Sequence, residues 1–447
     1  MQRRNYAKAV ASIAAGIGLT GCSGDDNGNG GNGGNGNNGG NGGNGSGMQT
    51  VELWHDKGQN PNWNPIFEEA TPVLNDVLAE DNVEMEVVPY QSTDGFQGAL
   101  RPVLGSSDGP GVFSWWTGQR LTNVVEDGYA LDITDVWDEH IEAGRYPESL
   151  KGPYSVDGTA YAVPNQVNYW PVWYNKNTFD ELGVSPPETW DEFRQLTQTI
   201  QSESGGDTTP VLVPLNPGWT GFIWFEELVL RQDPDFYRDL CAGEAQYTDE
   251  TAVEALRMIG DLQEEGVFGD ASTAFSKGLD DIPRDLANGD YAMCLIGSWV
   301  SGVFSGADVD FSNYDWFELP SVNSSLNNQL VIEPGPFVMH QGGANEEDLR
   351  AIADGLLSTE FREAWITELG GLPLNSEIDN SFLPENMQRL AEETAAGTFD
   401  FPLRYWENTS PEVAVPASER MQQIFQNPGN AESIAEQLDG LRQQVYG

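Results

Sequence analysis

The sequence predicts an α/β protein built from two domains. After residue 48, strand-like runs with alternating apolar residues are followed by stretches with apolar residues at helical spacing. Such an alternation is typical of sheets whose strands are connected by crossover helices. The chain after this point has about 400 residues, more than a single hydrophobic core usually serves. We therefore expect two α/β domains.

The apolar pattern predicts the elements in order. Alternation over residues 50–54 and 83–90 indicates strands, and helical spacing over 64–79 and 96–104 indicates helices. The unbroken apolar run at 111–116 is typical of a buried parallel strand. Later helices are expected over 189–201, 221–231, 248–265, 346–357 and 360–369, with Thr189 as N-cap of the first, and a strand over 292–296.

The first 48 residues predict export and tethering outside a membrane. Residues 1–22 combine Arg3, Arg4 and Lys8 with an apolar stretch that is too short to span a bilayer. The paired arginines resemble a twin-arginine signal, and Leu-Thr-Gly-Cys resembles a lipobox at which Cys22 becomes the lipidated N-terminus. Residues 23–48 are mostly Gly and Asn, which indicates a flexible linker. We expect a body at the extracellular face of the cell membrane, attached only through this lipid anchor. A secreted protein freed by signal cleavage is the alternative.

The chain is strongly acidic. It has 70 Asp and Glu against 21 Lys and Arg, and without the three bases of the leader its formal charge is −52. Such a surface is a poor partner for nucleic acid or anionic lipid headgroups. The acidic residues are scattered, and their mutual repulsion is screened in molar salt, where the Debye length is about 3 Å. Together with the export signal, this composition indicates an extreme halophile, most simply an archaeon.

The sequence contains no motif that identifies a catalytic or metal site. The only histidines are His55, His140 and His340, too few for a multi-histidine zinc site, and no Gly-x-Ser-x-Gly turn occurs. Pairs of carboxylates at glycosidase spacing arise by chance among so many acids, so a cell-surface glycosidase stays open as the alternative class. We expect no cofactor, no metal and no enzymatic activity. Cys241 and Cys294 could pair outside the cell, but a body of this size does not need a disulfide.

Tryptophans beside turn signals predict a sugar site. A sugar ring has an apolar face and a rim of hydroxyls, so it is bound by flat aromatic walls and planar polar side chains. In open α/β sheets, ligands bind beyond the carboxyl ends of the strands. Core packing is the alternative for any single tryptophan. Those beside strand-to-loop or turn signals are Trp54, Trp115, Trp116, Trp219, Trp299 and Trp406.

Several segments carry a family resemblance. Residues 161–179 read YAVPNQVNYWPVWYNKNTF, and residues 181–193 read ELGVSPPETWDEF. They are accompanied by LWHDKG at 53–58, ANGDYAMCLIGSW at 287–299 and LGGLPLN at 369–375. Together these segments resemble the family 1 extracellular solute-binding proteins, the maltose- and oligosaccharide-binding receptors of ABC transporters. The resemblance covers most of residues 49–447.

The resemblance implies a two-lobed periplasmic-binding-protein-like fold of type II, with the ligand in a cleft between lobes that close by hinge motion. The expected N-lobe is 49–165 with 334–358, and the expected C-lobe is 166–333 with 359–447. Crossings between the lobes are expected near 164–166, 329–333 and 357–360. The implied partners are a neutral mono- or oligosaccharide and the permease subunits of an ABC importer, with the receptor acting as a monomer.

The resemblance also implies ligand-binding residues. Asp56 and Lys57 in the first loop would meet sugar hydroxyls, and Trp115 and Trp116 would line the N-lobe wall. Asn168, just past the first crossing, would face the cleft. It stands where maltose-type receptors often have a carboxylate.

The C-lobe is expected to supply the aromatic platform. Trp299 would stack on the sugar, with Trp219 and either Tyr405 or Trp406 as further walls. A structural role is expected instead for the most diagnostic residues, which are Tyr174, Asn175, Lys176, Thr189 and Trp190.

An anionic ligand such as glycerol phosphate is the alternative to a neutral sugar. Related receptors bind such solutes. The scarcity of bases disfavours it, because phosphate is usually held by Arg, Lys or helix N-termini.

Overall fold

The computed structural model describes residues 48–58, 63–216, 218–369 and 371–447. The predicted leader, Cys22 and residues 23–47 of the predicted linker lie outside these ranges. Within the described residues, no helix combines the length and the apolarity needed to cross a bilayer.

Eleven strands of the described part form three sheets. They are β1 Gln49–His55, β2 Val83–Pro89, β3 Val112–Ser114, β4 Ser155–Val156, β5 Thr159–Ala160, β6 Ala162–Tyr169, β7 Val172–Asn175, β8 Thr209–Leu212, β9 Tyr291–Leu295, β10 Tyr314–Phe317 and β11 Ile332–Met339.

The two larger sheets are mixed. The first has the order β2-β1-β3-β11-β6, in which β1 is parallel to β2 and β3, and β11 is antiparallel to β3 and β6. The second has the order β10-β7-β9-β8, with only β8 and β9 parallel. Strands β4 and β5 form a small hairpin.

Twenty α-helices of the described part connect and cover the sheets. They are α1 Asn64–Leu78, α2 Thr93–Leu100, α3 Gln119–Glu126, α4 Thr134–Glu142, α5 Glu148–Lys151, α6 Lys176–Leu182, α7 Trp190–Glu203, α8 Ile223–Leu230, α9 Pro234–Cys241, α10 Glu250–Glu264, α11 Ala271–Ser276, α12 Ile282–Ala287, α13 Val300–Gly306, α14 Glu346–Leu357, α15 Thr359–Leu369, α16 Glu385–Ala395, α17 Tyr405–Asn408, α18 Pro411–Met421, α19 Gln423–Gln426 and α20 Ala431–Tyr446.

Each large sheet has its own hydrophobic core, and two long strands join the cores. Strand β6 contributes Val163 to the first core and Val167 to the second. Strand β11 contributes Ile332 to the second core and Phe337 to the first. The two strands pair with each other, and the register shifts between Gly335 and Pro336. This arrangement confirms the predicted two-lobed α/β fold class.

The expected boundary at residue 358 does not match the packing of α15. Phe361, Trp365 and Ile366 are buried in the first core, and α15 packs along α1. Residues 359–369 therefore pack with the first lobe, whereas the expected C-lobe began at residue 359. Leu383 and Met387 belong to the second core, so the chain leaves the first lobe only after α15.

The diagnostic family segment has local structural roles. Strand β7 ends at Asn175, whose side chain accepts hydrogen bonds from the backbone N–H groups of Asn177 and Thr178 and so caps α6. Thr189 caps α7 in the same way, by accepting from the N–H of Glu192 at 3.2 Å. Substituting such a cap costs about 1 kcal/mol. Cys241 and Cys294 are buried and unpaired, and burial raises the pKa of both thiols, that of Cys241 to about 12.

Candidate functional site

A pocket opens where the carboxyl ends of β1 and β3 meet the two crossing strands. It contains about 430 Å³ of space, part of which is open to solvent. Its lining residues are Asp56, Lys57, Trp63, Ser114, Trp115, Trp116, Asn165, Gln166, Glu333, Pro334, Gly335 and Glu407. Most belong to the first lobe or to the crossing strands, and Glu407 reaches the pocket from α17, whose Tyr405 is in the second core.

His55 positions the loop that carries Asp56 and Lys57. The ring of His55 stacks on Phe67 with 4.0 Å between centroids, and its Nδ1 accepts a hydrogen bond from the backbone N–H of Lys57. Burial lowers the pKa of His55 to about 4, an effect that Asp56 opposes and Lys57 reinforces. The imidazole is therefore neutral at physiological pH and can act as this acceptor. The side chains of Asp56 and Lys57 pair at 3.4 Å at the pocket edge.

Two indoles form one wall of the pocket. The rings of Trp115 and Trp116 lie directly after β3, with 5.1 Å between centroids and an angle of 67°. The indole N–H of Trp115 donates to the carbonyl oxygen of Arg120 at 3.0 Å, and its backbone N–H donates to the carbonyl oxygen of Pro336 at 3.1 Å. Trp115 is thus fixed on both its side chain and its backbone.

Polar atoms without partners line the same pocket. Ser114 Oγ, Asn165 Oδ1 and Glu407 Oε2 are buried, and none of them has a hydrogen-bond partner within the described structure. An unpaired buried polar atom costs about 1–3 kcal/mol, and native proteins contain few of them. Three such atoms belong to residues that line this one pocket.

Two charged residues at the pocket form an ion pair. Arg404 Nη1 lies 3.0 Å from Glu333 Oε2. Burial raises the pKa of Glu407 to about 7, and Glu333 adds to this rise while Arg404 and Arg120 oppose it. A carboxyl with this pKa exchanges its proton near neutral pH and can both accept and donate a hydrogen bond.

A second aromatic cluster lies in the other lobe. The ring centroids of Trp170, Trp219 and Trp299 are separated by 6.2 to 6.5 Å, and Trp219 and Trp299 are partly exposed. The guanidinium of Arg404 lies over the ring of Trp170 at 3.7 Å and also faces Trp219. The indole nitrogen of Trp170 is buried without a partner. Trp219 and Trp299 present part of their indoles to solvent, whereas Trp170 is 1% exposed and its ring is covered by Arg404.

The family of this two-lobed protein is shown by a match to a family model. The model of the bacterial extracellular solute-binding proteins matches residues 60–362, which is more than half of the chain. The chain belongs to this family. It is an extracellular solute-binding protein of the ABC transporter type, and this confirms the resemblance seen in the sequence.

Named relatives of this solute-binding protein are distant. It is 23% identical over 320 residues to the osmoprotective compounds-binding protein GgtB of Synechocystis sp., covering 69% of this chain and 74% of that protein. It is 25% identical over 323 residues to the alpha-glucosides-binding periplasmic protein AglE of Rhizobium meliloti, covering 68% and 66%. The family and these relatives are binding proteins.

Solved structures share the fold. The bacterial solute receptor AcbH, described as having an exclusive preference for β-D-galactopyranose, superimposes with a TM-score of 0.75 at 18% identity, over 90% of this chain and 100% of that one. A chitin oligosaccharide binding protein superimposes with a TM-score of 0.73 at 17% identity, over 89% and 98%. At such identities the likeness establishes the two-lobed fold alone.

The structure brings part of the predicted site together. Asp56, Lys57, Trp115 and Trp116 line one pocket of the solute-binding protein. Trp219 and Trp299 form the second aromatic cluster instead. Within the described residues, no group of three or more His, Cys, Asp or Glu side chains is arranged to hold a metal ion.

The remaining predicted residues differ in their environments. Tyr405 does not line a cleft in this structure, because it is fully buried and its hydroxyl bonds to that of Tyr247. Trp406 is partly exposed and remains the candidate of this pair. Asn168 lies on the crossing strand β6, where it is buried and its Oδ1 accepts from Ser298 Oγ at 3.4 Å. It does not belong to the pocket lining described above.

Several groups that the fold brings to the site were not predicted from the sequence. Ser114, Asn165 and Glu407 supply the unpaired polar atoms, and Arg120 and Arg404 supply buried positive charge. Ser114 directly precedes the predicted Trp115 at a strand end, which was a usable signal. Asn165 lies in the family segment 161–179, and Arg404 and Glu407 flank the predicted Tyr405 and Trp406, but no local motif distinguishes them from neighbouring polar residues.

Proposed function

We propose that this protein captures a neutral mono- or oligosaccharide in the interlobe pocket and delivers it to the permease of an ABC importer. The observation that carries the proposal is the coincidence of the Trp115–Trp116 wall with three buried, unpaired polar atoms. Indoles suit the apolar face of a sugar, and the polar atoms suit its hydroxyls. The alpha-glucosides-binding and chitin oligosaccharide binding proteins support this class of ligand by their names.

The charges of the pocket favour a neutral ligand over an anion such as glycerol phosphate. The described lining contains Asp56, Glu333 and Glu407 but only one cation, Lys57, which is already paired with Asp56. Arg404 lies behind the lining and is paired with Glu333. A phosphate in the pocket would meet these carboxylates, and the lining itself offers it no unpaired cation.

The protein works outside the cell membrane, attached through a lipid on Cys22. The sequence of the leader supports lipid attachment at Cys22, with the Gly/Asn linker holding the body outside the membrane. The acidic composition supports a halophilic source and a working environment of molar salt. The protein acts as a monomer, with the permease as its protein partner.

Thermal-shift measurements in molar potassium chloride test the ligand class. The panel contains galactose, maltose, chitobiose, xylobiose and glycerol 3-phosphate. A ligand present at 100 times its dissociation constant adds about 2.7 kcal/mol to the free energy of unfolding, which gives a clear rise in Tm. We expect at least one neutral sugar to raise Tm and glycerol 3-phosphate to have no effect.

Matched variants connect the shift to the pocket. Trp116→Ala removes a lining indole and should abolish the sugar-induced shift. Trp54→Ala removes a partly buried indole of the same lobe that does not line the pocket, so it should preserve the shift. A shift only with glycerol 3-phosphate, or an equal loss in both variants, would contradict the proposal.

The same samples distinguish a receptor from a glycosidase. Chromatography of the oligosaccharides after incubation should return them unchanged. Release of shorter sugars that depends on the protein would show a hydrolase.

A further inference from the structure

One buried arginine lies between two indoles. The guanidinium carbon of Arg120 is 4.9 Å from the ring centroid of Trp116 and 5.4 Å from that of Trp406. The residue is only 6% exposed. Its Nε and Nη2 are buried without hydrogen-bond partners among the described residues. The two indole faces are therefore its principal contacts.

The two indoles belong to different lobes. Trp116 follows β3 of the first sheet and lines the pocket, and Leu121, next to Arg120, is in the first core. Trp406 lies in α17, packs against the second core and stacks on Phe222 with 6.0 Å between centroids. Arg120 thus joins the pocket wall of one lobe to an aromatic side chain of the other.

The backbone is also close at this point. Gly118 has a φ of 60°, and a Cβ placed on it would lie 2.5 Å from the carbonyl oxygen of Glu407. Only glycine allows this conformation and this approach without strain. Helix α3 and helix α17 are consequently in direct contact beside the pocket.

The contact is specific for a planar cation. Burial lowers the pKa of Arg120, Glu407 and Glu412 oppose this shift, and Arg101 reinforces it. Both acids act on Arg120 by coulombic attraction, and its Nε and Nη2 have no hydrogen-bond partner among the described residues. A guanidinium stacks on aromatic faces better than an ammonium does, and a desolvated cation–π contact is stronger than an exposed one.

We propose that Arg120 is an interlobe latch, a positioning residue that stabilises the closed arrangement of the lobes around a bound sugar. This inference rests on the proposed function. Separation of the lobes would remove Trp406 from one face of the guanidinium and return that face to water. Trp116 lines the pocket and also contacts Arg120. A sugar bound against Trp116 therefore holds this indole in the position in which it stacks on Arg120. The latch slows release of the sugar more than it affects capture.

The test compares two stacked arginines in one protein. Arg120→Lys keeps the charge but loses the planar stack, and Arg120→Met removes the charge while keeping an apolar side chain that suits the buried site. Arg389→Lys is the matched control, because Arg389 stacks on Trp316 at 4.1 Å and both elements pack on the second core. Melting curves first establish that each variant is folded.

Release of the sugar is measured by stopped-flow fluorescence, with the sugar of the panel that gives the largest thermal shift in the parent protein. Both Arg120 variants should release it about 5- to 30-fold faster, with a much smaller change in the association rate. Arg389→Lys should release it at the parent rate. Equal release rates in the Arg120 variants and the parent would overturn the latch while leaving the receptor function intact.

Hydrogen exchange tests the latch without a ligand. It is the measurement to use if no sugar of the panel binds, and the absence of sugar binding would by itself contradict only the proposed function. In the protein without sugar, amides of α3 and α17 should exchange faster in Arg120→Lys than in the parent protein or Arg389→Lys. Unchanged exchange in both helices would overturn the latch. Faster exchange confined to these helices would support it.

Discussion

Acidification should destabilise the first lobe through His55. This residue ends β1, is 1% exposed and has its ring stacked on Phe67. Its Nδ1 accepts the backbone N–H of Lys57 at 3.1 Å, and only an imidazole with a lone pair on Nδ1 can do so. Protonation would place an N–H against an N–H and a charge in a buried site. The folded protein therefore opposes protonation of His55.

The size of the effect follows from the two pKa values. Burial lowers the pKa from 6.5 to about 4 in the folded chain, and the unfolded chain keeps the ordinary value. Between these values the unfolded state binds one more proton, so acid favours unfolding. At 1.36 kcal/mol per pKa unit, the free energy of unfolding falls by about 3 kcal/mol as the pH decreases from 6.5 to 4. Above pH 6.5 this contribution is constant.

The assay is urea unfolding in molar potassium chloride, followed by tryptophan fluorescence at several pH values across this window. His55→Gln is the control, because glutamine does not titrate and its amide oxygen can accept the N–H of Lys57. Titration of the many carboxylates is common to both proteins and cancels in the difference. The parent protein should lose about 3 kcal/mol more than His55→Gln between pH 6.5 and 4. Identical pH profiles would refute the role assigned to His55.

Three further predictions concern the platform, the anchor and the solvent. Trp299→Ala should weaken sugar binding by about 1–3 kcal/mol in a calorimetric titration. Trp190 is buried against Phe193, so Trp190→Ala should instead lower the free energy of unfolding by about 3–5 kcal/mol with little change in affinity. Normal binding by Trp299→Ala together with a large loss of its stability would show that the two roles are exchanged. Cys22→Ser should release the body into the medium with unchanged affinity, and a variant that stays with the membrane fraction would exclude lipidation at this residue. Dilution from molar to millimolar potassium chloride should lower Tm because the screening of carboxylate repulsion is lost, and a constant Tm would exclude dependence on salt.

The periodicity of apolar residues was sufficient to predict several helices and strands of the first lobe. The strand expected at 50–54 is β1 Gln49–His55, and the helix expected at 346–357 is α14 Glu346–Leu357. Strand ends also located the indoles of Trp115 and Trp116, because parallel strands place their carboxyl ends at one edge. These features depend on local sequence, so local sequence could predict them.

Features that depend on which surfaces meet could not be predicted in this way. Phe361, Trp365 and Ile366 give α15 an apolar face, but the spacing does not say which of two cores covers that face. Tyr405 and Trp406 are adjacent and aromatic, and only the packing shows that the first is buried against Tyr247. Glu407 is one acid among 70, and its importance comes from the buried place that α17 gives it.

Arg404 has a consequence for how this protein responds to its solvent. It is almost fully buried, lies over Trp170 and is paired with Glu333, so dissolved ions cannot approach its charge closely. Salt screens exposed charges strongly and buried pairs much less. The exposed carboxylates of the exterior are therefore screened by salt much more than the pair of Arg404 with Glu333. If the protein binds a sugar in molar salt, as proposed above, its affinity should vary less with salt concentration than its stability does, because this ion pair is screened less than the surface carboxylates.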